Sequence, residues 1–184
     1  MQSFLNKVSK ETLAKYNDVS QLTFILPSKR AGLFLKTEIK ILLRNTSILP
    51  KILSIEDFIQ VLSGLNQIDS ITLIFEFYKI YIELTPPDEQ DNFEIFSKWA
   101  TLLLQDFNEI DSNLFDAKKL LDYIKESRRL ENWNLEENQT SLTLKYLGFF
   151  NHIETYYSKL QKYLLNKNSG YQGMLYQKAL ENTR

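Results

Sequence analysis

The chain has 184 residues, 43% hydrophobic and 24% charged, which are fractions typical of a globular protein and not of a disordered or collagen-like chain. It has no cysteine and a single histidine, His152, which excludes disulfides and thiolate chemistry and leaves too few ligands for zinc. The 22 basic and 23 acidic side chains nearly cancel, so any contact with a polyanion must be local.

The first third of the chain predicts a βαβ unit. Apolar spacing predicts an amphipathic helix over 3–16, and an apolar run at 22–26, ended by Pro27, predicts a buried strand. Helical spacing follows over 31–44, and 52–55 predicts a second short strand. Because one helix joins the two strands, parallel pairing with a right-handed connection is expected.

The rest of the chain predicts helices. Their expected ranges are 55–63, 70–84, 91–107, 116–127, 142–166 and 172–182. Ser70 is the expected N-cap of the second, which is apolar on nearly every side and therefore predicted to lie at the centre of a bundle. The expected fold class is α+β and predominantly helical, with a small parallel βαβ element over 1–66 packed on a helical lobe over 67–184.

Targeting signals are not recognisable in the sequence. The first residues lack the apolar core of a secretory signal, and Glu76 interrupts the longest apolar stretch well short of a membrane span. A cytoplasmic protein with no membrane partner is therefore expected.

Charge is distributed unevenly along the chain. Residues 1–55 carry nine basic and three acidic side chains, residues 56–111 carry two and twelve, and residues 112–184 carry eleven and eight. One interpretation is that solvated helix faces differ in sign. The other is that the basic βαβ segment faces an anionic partner.

The segment Pro27-Ser28-Lys29-Arg30-Ala31-Gly32 is the most informative for the second interpretation, because it links the first predicted strand to its helix. Ligands of parallel α/β proteins bind at the carboxyl ends of strands, and helix N-termini attract phosphates. Exposed loop charges are the alternative reading. The G-x-x-x-x-G-K-[ST] phosphate loop is absent, so ATP hydrolysis by this chain is not expected.

If the chain contacts DNA, basic side chains of this segment and its helix are the candidates for its phosphates. They are Lys29, Arg30, Lys36, Lys40 and Arg44. Such contacts are electrostatic and independent of base sequence, and they weaken steeply with salt.

Other candidates for chemistry are weaker. Asp106, Glu109 and Asp111 offer oxygen ligands for Mg²⁺, but a solvated, acidic helix end is the more common meaning of such a cluster. His152 is expected to be a partly buried structural residue. The tyrosines placed to stack on bases lie at the margins of the long helix: Tyr146, Tyr156 and Tyr163.

Several blocks of the sequence resemble the amino-terminal end of AddB-like subunits of bacterial helicase–nucleases, especially the Bacteroidetes proteins of the PD-(D/E)XK nuclease family. The blocks are MQSFL at 1–5, LPSKRAGLFL at 26–35, PKILSIEDFI at 50–59, LLQDFNEID at 103–111 and GYQGMLY at 170–176. They follow one another in collinear order over nearly the whole chain.

The resemblance implies part of a DNA-repair protein that processes double-strand breaks for recombination. The chain would hold an incomplete, degenerate RecA-like domain and a helical insertion resembling helicase subdomain 1B. The nuclease motif of the family lies in a carboxy-terminal domain beyond Arg184, so no catalytic, metal or nucleotide-binding residue is carried onto this chain. No cofactor is expected, and the chain by itself is not expected to be an enzyme.

The full-length protein is expected to be a subunit of an ATP-dependent helicase–exonuclease. Implied partners are DNA, the remainder of the polypeptide and an AddA-like helicase subunit. Because two-stranded sheets are marginal alone, self-association is also expected. The alternative function is a protein–protein interaction module that docks on a helicase partner without touching DNA.

Overall fold

The computed structural model of the protein describes residues 3–43, 48–133 and 141–183, and the side chains within these ranges except those of 128–151. The chain forms two compact units, Met1–Leu62 and Ser63–Arg184. The division thus falls between Leu62 and Ser63, whereas the sequence placed it after residue 66.

The first unit contains the βαβ element. Its elements are α1 (Phe4–Lys15), β1 (Thr23–Leu26), α2 (Lys29–Leu42), β2 (Lys51–Ser54) and α3 (Ile55–Ser63), which reaches the boundary. The strands pair in parallel, with Thr23 opposite Lys51 and Leu26 opposite Ser54. The predicted parallel pair joined by a helix is therefore confirmed.

Helix α2 begins earlier than the sequence predicted. Ser28 is its N-cap, and the Ser28 Oγ accepts a hydrogen bond of 3.2 Å from the backbone N–H of Ala31. The helix starts at Lys29 and not at residue 31. Lys29 and Arg30 consequently lie in its first turn, and the prediction that they belong to a linking loop is wrong.

Gly32 lets α2 approach β2 closely. A Cβ atom at this position would lie 3.0 Å from Ile52 Cγ2, and Leu35 and Ile39 are buried on the same helix. Leu26 Cδ1 also lies near Gly32, at 4.0 Å from that Cβ position. One face of the small sheet is thus packed against α2.

The second unit is a helical bundle. Its elements are β3 (Asn66–Gln67), α4 (Ser70–Leu84), α5 (Phe93–Ser112), α6 (Ala117–Trp133), α7 (Ser141–Asn166), β4 (Ser169–Gly170) and α8 (Gln172–Asn182). The fold class, predominantly helical α+β, is confirmed. None of the helices within the described ranges is long and apolar enough to cross a membrane.

Aromatic rings fill the centre of the bundle. Phe77, Phe96 and Phe107 are fully buried, and the ring centroid of Phe77 lies 5.4 Å from that of Phe96 and 6.4 Å from that of Phe107. Such tilted and edge-on contacts add to the burial of apolar area. The periodic apolar residues of α4 and α5 therefore meet in one core.

Helix α4 differs from its prediction in two respects. Asp69, not Ser70, is its N-cap, and the Asp69 carboxylate accepts from the backbone N–H groups of Ile71 and Thr72. The helix is not enclosed by the bundle, since the side chains of Ile71 and Phe75 are 69% and 50% exposed. Its second apolar face lies on the surface of the unit.

Two further helices are longer than predicted, and one short strand pair was not predicted. Helix α5 continues to Ser112 where residue 107 was expected, and α6 continues to Trp133 where residue 127 was expected. Strands β3 and β4 pair in parallel over two residues each. Such short, polar strands leave no hydrophobic pattern in the sequence.

Candidate nucleic-acid interface

Three of the five predicted basic residues share one face of α2. Lys29, Lys36 and Lys40 are spaced by seven and four residues, which at 3.6 residues per turn places them within about 40° of one line. All three side chains are exposed, and the buried Leu35 and Ile39 lie on a different face. We call this set of three residues the lysine stripe.

Arg30, a fourth predicted residue, does not belong to the lysine stripe. Arg30 lies about 100° away around the helix, and its guanidinium Cζ is 5.8 Å from the ring centroid of Phe34. The side chain therefore rests over an exposed aromatic ring. Arg44 lies outside the described residues.

A shallow cleft runs between α2 and the end of β2. Its volume is about 330 Å³.

 Charged and polar side chains line this cleft. Lys29, Lys36, Ser54 and Asp57 supply its polar lining. Helices α2 and α3 thus contribute charged groups to one cleft.

An ion pair joins the two sides of this cleft. Lys29 Nζ lies 2.9 Å from Asp57 Oδ1, and the buried Ser54 Oγ donates a hydrogen bond of 2.8 Å to Asp57 Oδ2. The backbone N–H of Asp57 in turn donates to Ser54 Oγ at 3.1 Å. Residues from the start of α2, the end of β2 and the start of α3 therefore form one connected group.

The charges of this group stabilise one another. The hydrogen bond from Lys29 and then that from Ser54 lower the pKa of Asp57, and the contact with Asp57 raises the pKa of Lys29. Lys36 and Lys40 form no ion pair within the part of the chain that the structure describes. Positive charge on α2 that no described carboxylate compensates thus lies at these two residues and at Arg30.

The arrangement is suited to binding anions electrostatically. Gly32 serves helix packing, and no glycine-rich turn precedes α2 to cradle a triphosphate with backbone N–H groups. The lysine stripe instead presents flexible ammonium groups, which suit the exposed phosphates of a nucleic-acid backbone.

Comparisons of the chain with models of protein families, with curated proteins and with solved structures found no significant match.

The acidic candidates do not form a single site. Asp111 is fully buried and accepts hydrogen bonds from the hydroxyls of Tyr157 and Tyr171 and from the amide of Gln161. Asp106 and Glu109 are exposed. No group of three potential metal ligands occurs among the described residues. The expectation of a solvated helix end is therefore wrong for Asp111, because α7 and the N-cap of α8 enclose this end of α5 and supply donors.

No pattern in the sequence indicated the buried network around Asp111. Burial raises the pKa of the Asp111 carboxyl, and burial beside that carboxyl raises the pKa of Tyr157 and Tyr171. The tyrosine hydroxyls donate at this site, with Tyr171 at 2.6 Å. These residues connect α5, α7 and the N-cap of α8, and the network has a structural role.

The predicted base-stacking tyrosines are engaged elsewhere. Tyr156 is buried, with its hydroxyl 2.9 Å from Thr85 Oγ1, and Tyr163 donates to the Glu76 carboxylate. The side chain of Tyr146 lies outside the described residues. His152 was expected to be partly buried, but its side chain is exposed.

Glu76 of α4 has three donors: Tyr163 on α7, Lys167 just after α7, and Lys79 on α4 itself. Its carboxylate accepts from the Tyr163 hydroxyl and lies 3.0 Å from the ammonium groups of Lys79 and Lys167. The hydrogen bond from Tyr163 is the main reason that the pKa of Glu76 falls from 4.5 to about 2. The carboxylate is 13% exposed, so this network is shielded more than an ordinary surface pair.

We expect Glu76→Gln to lower the free energy of unfolding by about 2 kcal/mol at pH 7. Because the pKa of Glu76 is lowered in the folded state, the unfolded state binds more protons below 4.5. The difference between wild type and variant should therefore shrink as the pH falls from 4.5 towards 2. Urea unfolding across this range measures it, with the exposed Glu94→Gln as control. A difference independent of pH would contradict the assignment.

Proposed function

We propose that the chain is a non-catalytic DNA-binding module of an AddB-like helicase–nuclease that acts in double-strand-break repair. The observation that carries the proposal is the lysine stripe, Lys29, Lys36 and Lys40, on one exposed face of α2. The absence of a phosphate loop before this helix supports a role in binding and scaffolding over one in nucleotide hydrolysis.

The dimensions of the lysine stripe suit a nucleic-acid backbone. At 1.5 Å per residue, its three positions extend over about 16 Å of helix. A duplex presents several phosphate charges over that length, so each ammonium group has a phosphate within reach of its flexible stem. Contacts of this type fix the position of a protein on DNA without reading base sequence.

The wider assignment follows the resemblance of the sequence blocks. In this proposal the remainder of the polypeptide and an AddA-like helicase subunit are the protein partners, in the cytoplasm of a bacterium. The full-length protein would supply the ATP-dependent helicase and exonuclease functions together with its partner. The present chain would hold DNA near that machinery.

We expect the wild-type chain to bind single-stranded and tailed duplex DNA with an affinity that falls steeply from about 50 to 200 mM salt. Lys36→Glu/Lys40→Glu should weaken binding at low salt by about tenfold or more and flatten the salt dependence, because two phosphate contacts are lost. Fluorescence anisotropy of labelled DNA measures both quantities.

The matched control reverses two lysines of the second unit. Lys118 and Lys162 are exposed and form no ion pair among the described residues, so Lys118→Glu/Lys162→Glu makes the same change in net charge. This control should alter affinity by about twofold at most if α2 carries the interface. Equal losses in the two double variants would mean that only overall charge matters, and would contradict the placement on α2.

A second candidate function is the protein–protein interaction module, and the open face of the sheet favours it. Ile52 packs beside Gly32, so the alternation of side chains puts Ile25 on the opposite face, where it is 43% exposed. Ile55 is exposed to the same extent. Failure of the wild-type chain to bind DNA even at low salt would favour this second function.

A further inference from the structure

The cleft beside the lysine stripe already contains an anion. The Asp57 carboxylate lies between the Lys29 ammonium group, at 2.9 Å, and the Ser54 hydroxyl, at 2.8 Å. A carboxylate that accepts from an ammonium group and a hydroxyl makes the same contacts as an oxygen pair of a phosphate group. Lys36 lines the same cleft and has no carboxylate partner among the described residues.

We propose that Asp57 is an intramolecular competitor of phosphate groups for this cleft, so that a bound phosphate takes its place between Lys29 and Ser54. The inference rests on the proposed function, because the ligand group is the phosphate of a nucleic-acid backbone. It adds that the free protein holds one lysine of the stripe in an internal ion pair.

The exposure of the two partners makes such an exchange feasible. The Lys29 side chain is 72% exposed and that of Asp57 is 32% exposed, and exposed ion pairs contribute little to stability. A phosphate in the cleft would gain contacts with both Lys29 and Lys36, whereas the Asp57 carboxylate contacts Lys29 alone of these two lysines. Rotation of Asp57 towards solvent would then leave the Ser54 hydroxyl free to donate to the phosphate.

Competition by Asp57 also predicts how the salt dependence changes. In the wild type, the counterion that leaves the DNA phosphate at Lys29 is offset by a cation that the displaced Asp57 carboxylate attracts. When Asp57 is neutral, Lys29 binds phosphate with release of a counterion, which steepens the salt dependence by about one contact. The internal ion pair thus reduces both the affinity for DNA and its response to salt.

The test uses inorganic pyrophosphate as the probe, titrated into the isotope-labelled chain while the backbone amide signals of 28–31 and 54–57 are followed by NMR. Asp57→Asn should tighten binding about fivefold, because it removes the competing charge and can still accept from Ser54. Glu56→Gln is the matched control. It neutralises the adjacent exposed carboxylate, which forms no ion pair within the described ranges, and should change binding by less than about twofold.

A third variant shows whether the gain acts through Lys29. In Lys29→Gln, the further substitution Asp57→Asn should bring no gain, because the competition needs the ammonium group. Equal gains in Asp57→Asn and Glu56→Gln, or no gain in either, would overturn the inference. Because pyrophosphate reports on the cleft directly, this outcome is separate from the DNA titration, which tests the lysine stripe through Lys36 and Lys40.

Discussion

Asp111→Ala is expected to lower the free energy of unfolding of the second unit by about 4 kcal/mol. The substitution removes the acceptor for the hydroxyls of Tyr157 and Tyr171 and for the amide of Gln161, and it leaves these donors in a buried site. Urea or thermal unfolding followed by circular dichroism measures the loss. No other single carboxylate described in the bundle has three buried or half-buried donors around it.

The control for this variant is Asp106→Ala, on the same helix. Asp106 is exposed, and its pKa is raised by partial desolvation and then by the neighbouring Glu109. Its removal should change the free energy of unfolding by about 0.5 kcal/mol or less. Similar losses in the two alanine variants would contradict the structural role of Asp111.

The pH dependence of Asp111→Asn should run opposite to that of Glu76→Gln. Burial raises the pKa of Asp111 above 3.8, so the folded state binds its proton more tightly than the unfolded state does. The stability that this group contributes is fully present below that value and declines as the pH rises through the raised pKa. The cost of Asp111→Asn should therefore decrease with rising pH.

Gly173→Ala is expected to destabilise the second unit by about 3 kcal/mol or more. A Cβ atom at Gly173 would lie 2.5 Å from the carbonyl oxygen of Asn108 and 2.9 Å from the backbone nitrogen of Ser112. These are backbone atoms of α5, which cannot rotate away. Moving α8 away from α5 to relieve this overlap would also break the hydrogen bond of 2.8 Å from the Gly173 N–H to Asn108 Oδ1. That bond satisfies an N-terminal donor of α8.

Gly32→Ala provides the matched comparison for Gly173→Ala. At Gly32 the nearest atom to a new Cβ is a side-chain methyl of Ile52, at 3.0 Å, and a small shift relieves the contact. Alanine also gains about 1 kcal/mol over glycine inside a helix. The expected net change is therefore within about 1 kcal/mol. Equal unfolding midpoints for the two variants would show that α5 and α8 are not in close contact at Gly173.

Local patterns in the sequence were sufficient for most elements of the fold. The apolar run at 22–26 and the three-and-four spacing of the long helix correspond to β1 and α7, because each element buries one face or both. The choice between Asp69 and Ser70 as N-cap was not determined locally. Both residue types cap helices well. Asp69 is the N-cap because its backbone is extended, whereas Ser70 is already the first helical residue.

The burial of Asp111 depended on contacts that a local pattern does not contain. Its partners Tyr157 and Tyr171 follow 46 and 60 residues later in the chain. An acidic residue near an expected helix end is ordinarily solvated, so the prediction followed the general rule. The bundle overrode that rule by supplying hydrogen-bond donors from two other elements.

The candidate interface was predictable only in part, because some of its features are local in the sequence and others depend on distant contacts. The spacing of Lys36 and Lys40 is a property of one predicted helix and can be read from the sequence, whereas Lys29 joins them because α2 begins two residues earlier than predicted. The ion pair between Lys29 and Asp57 is not, because it depends on the parallel pairing of β1 and β2, which brings the starts of α2 and α3 to one edge.

The short pairing of β3 with β4 has a consequence for how the second unit is connected. The backbone N–H of Asn66 donates to the carbonyl of Asn168, and that of Ile68 donates to the carbonyl of Gly170. The helices α4 to α7 therefore form a single excursion of the chain that leaves and returns at neighbouring points. An excursion with adjoining ends is tolerated as an insertion, since its length can change while the backbone on either side keeps its spacing.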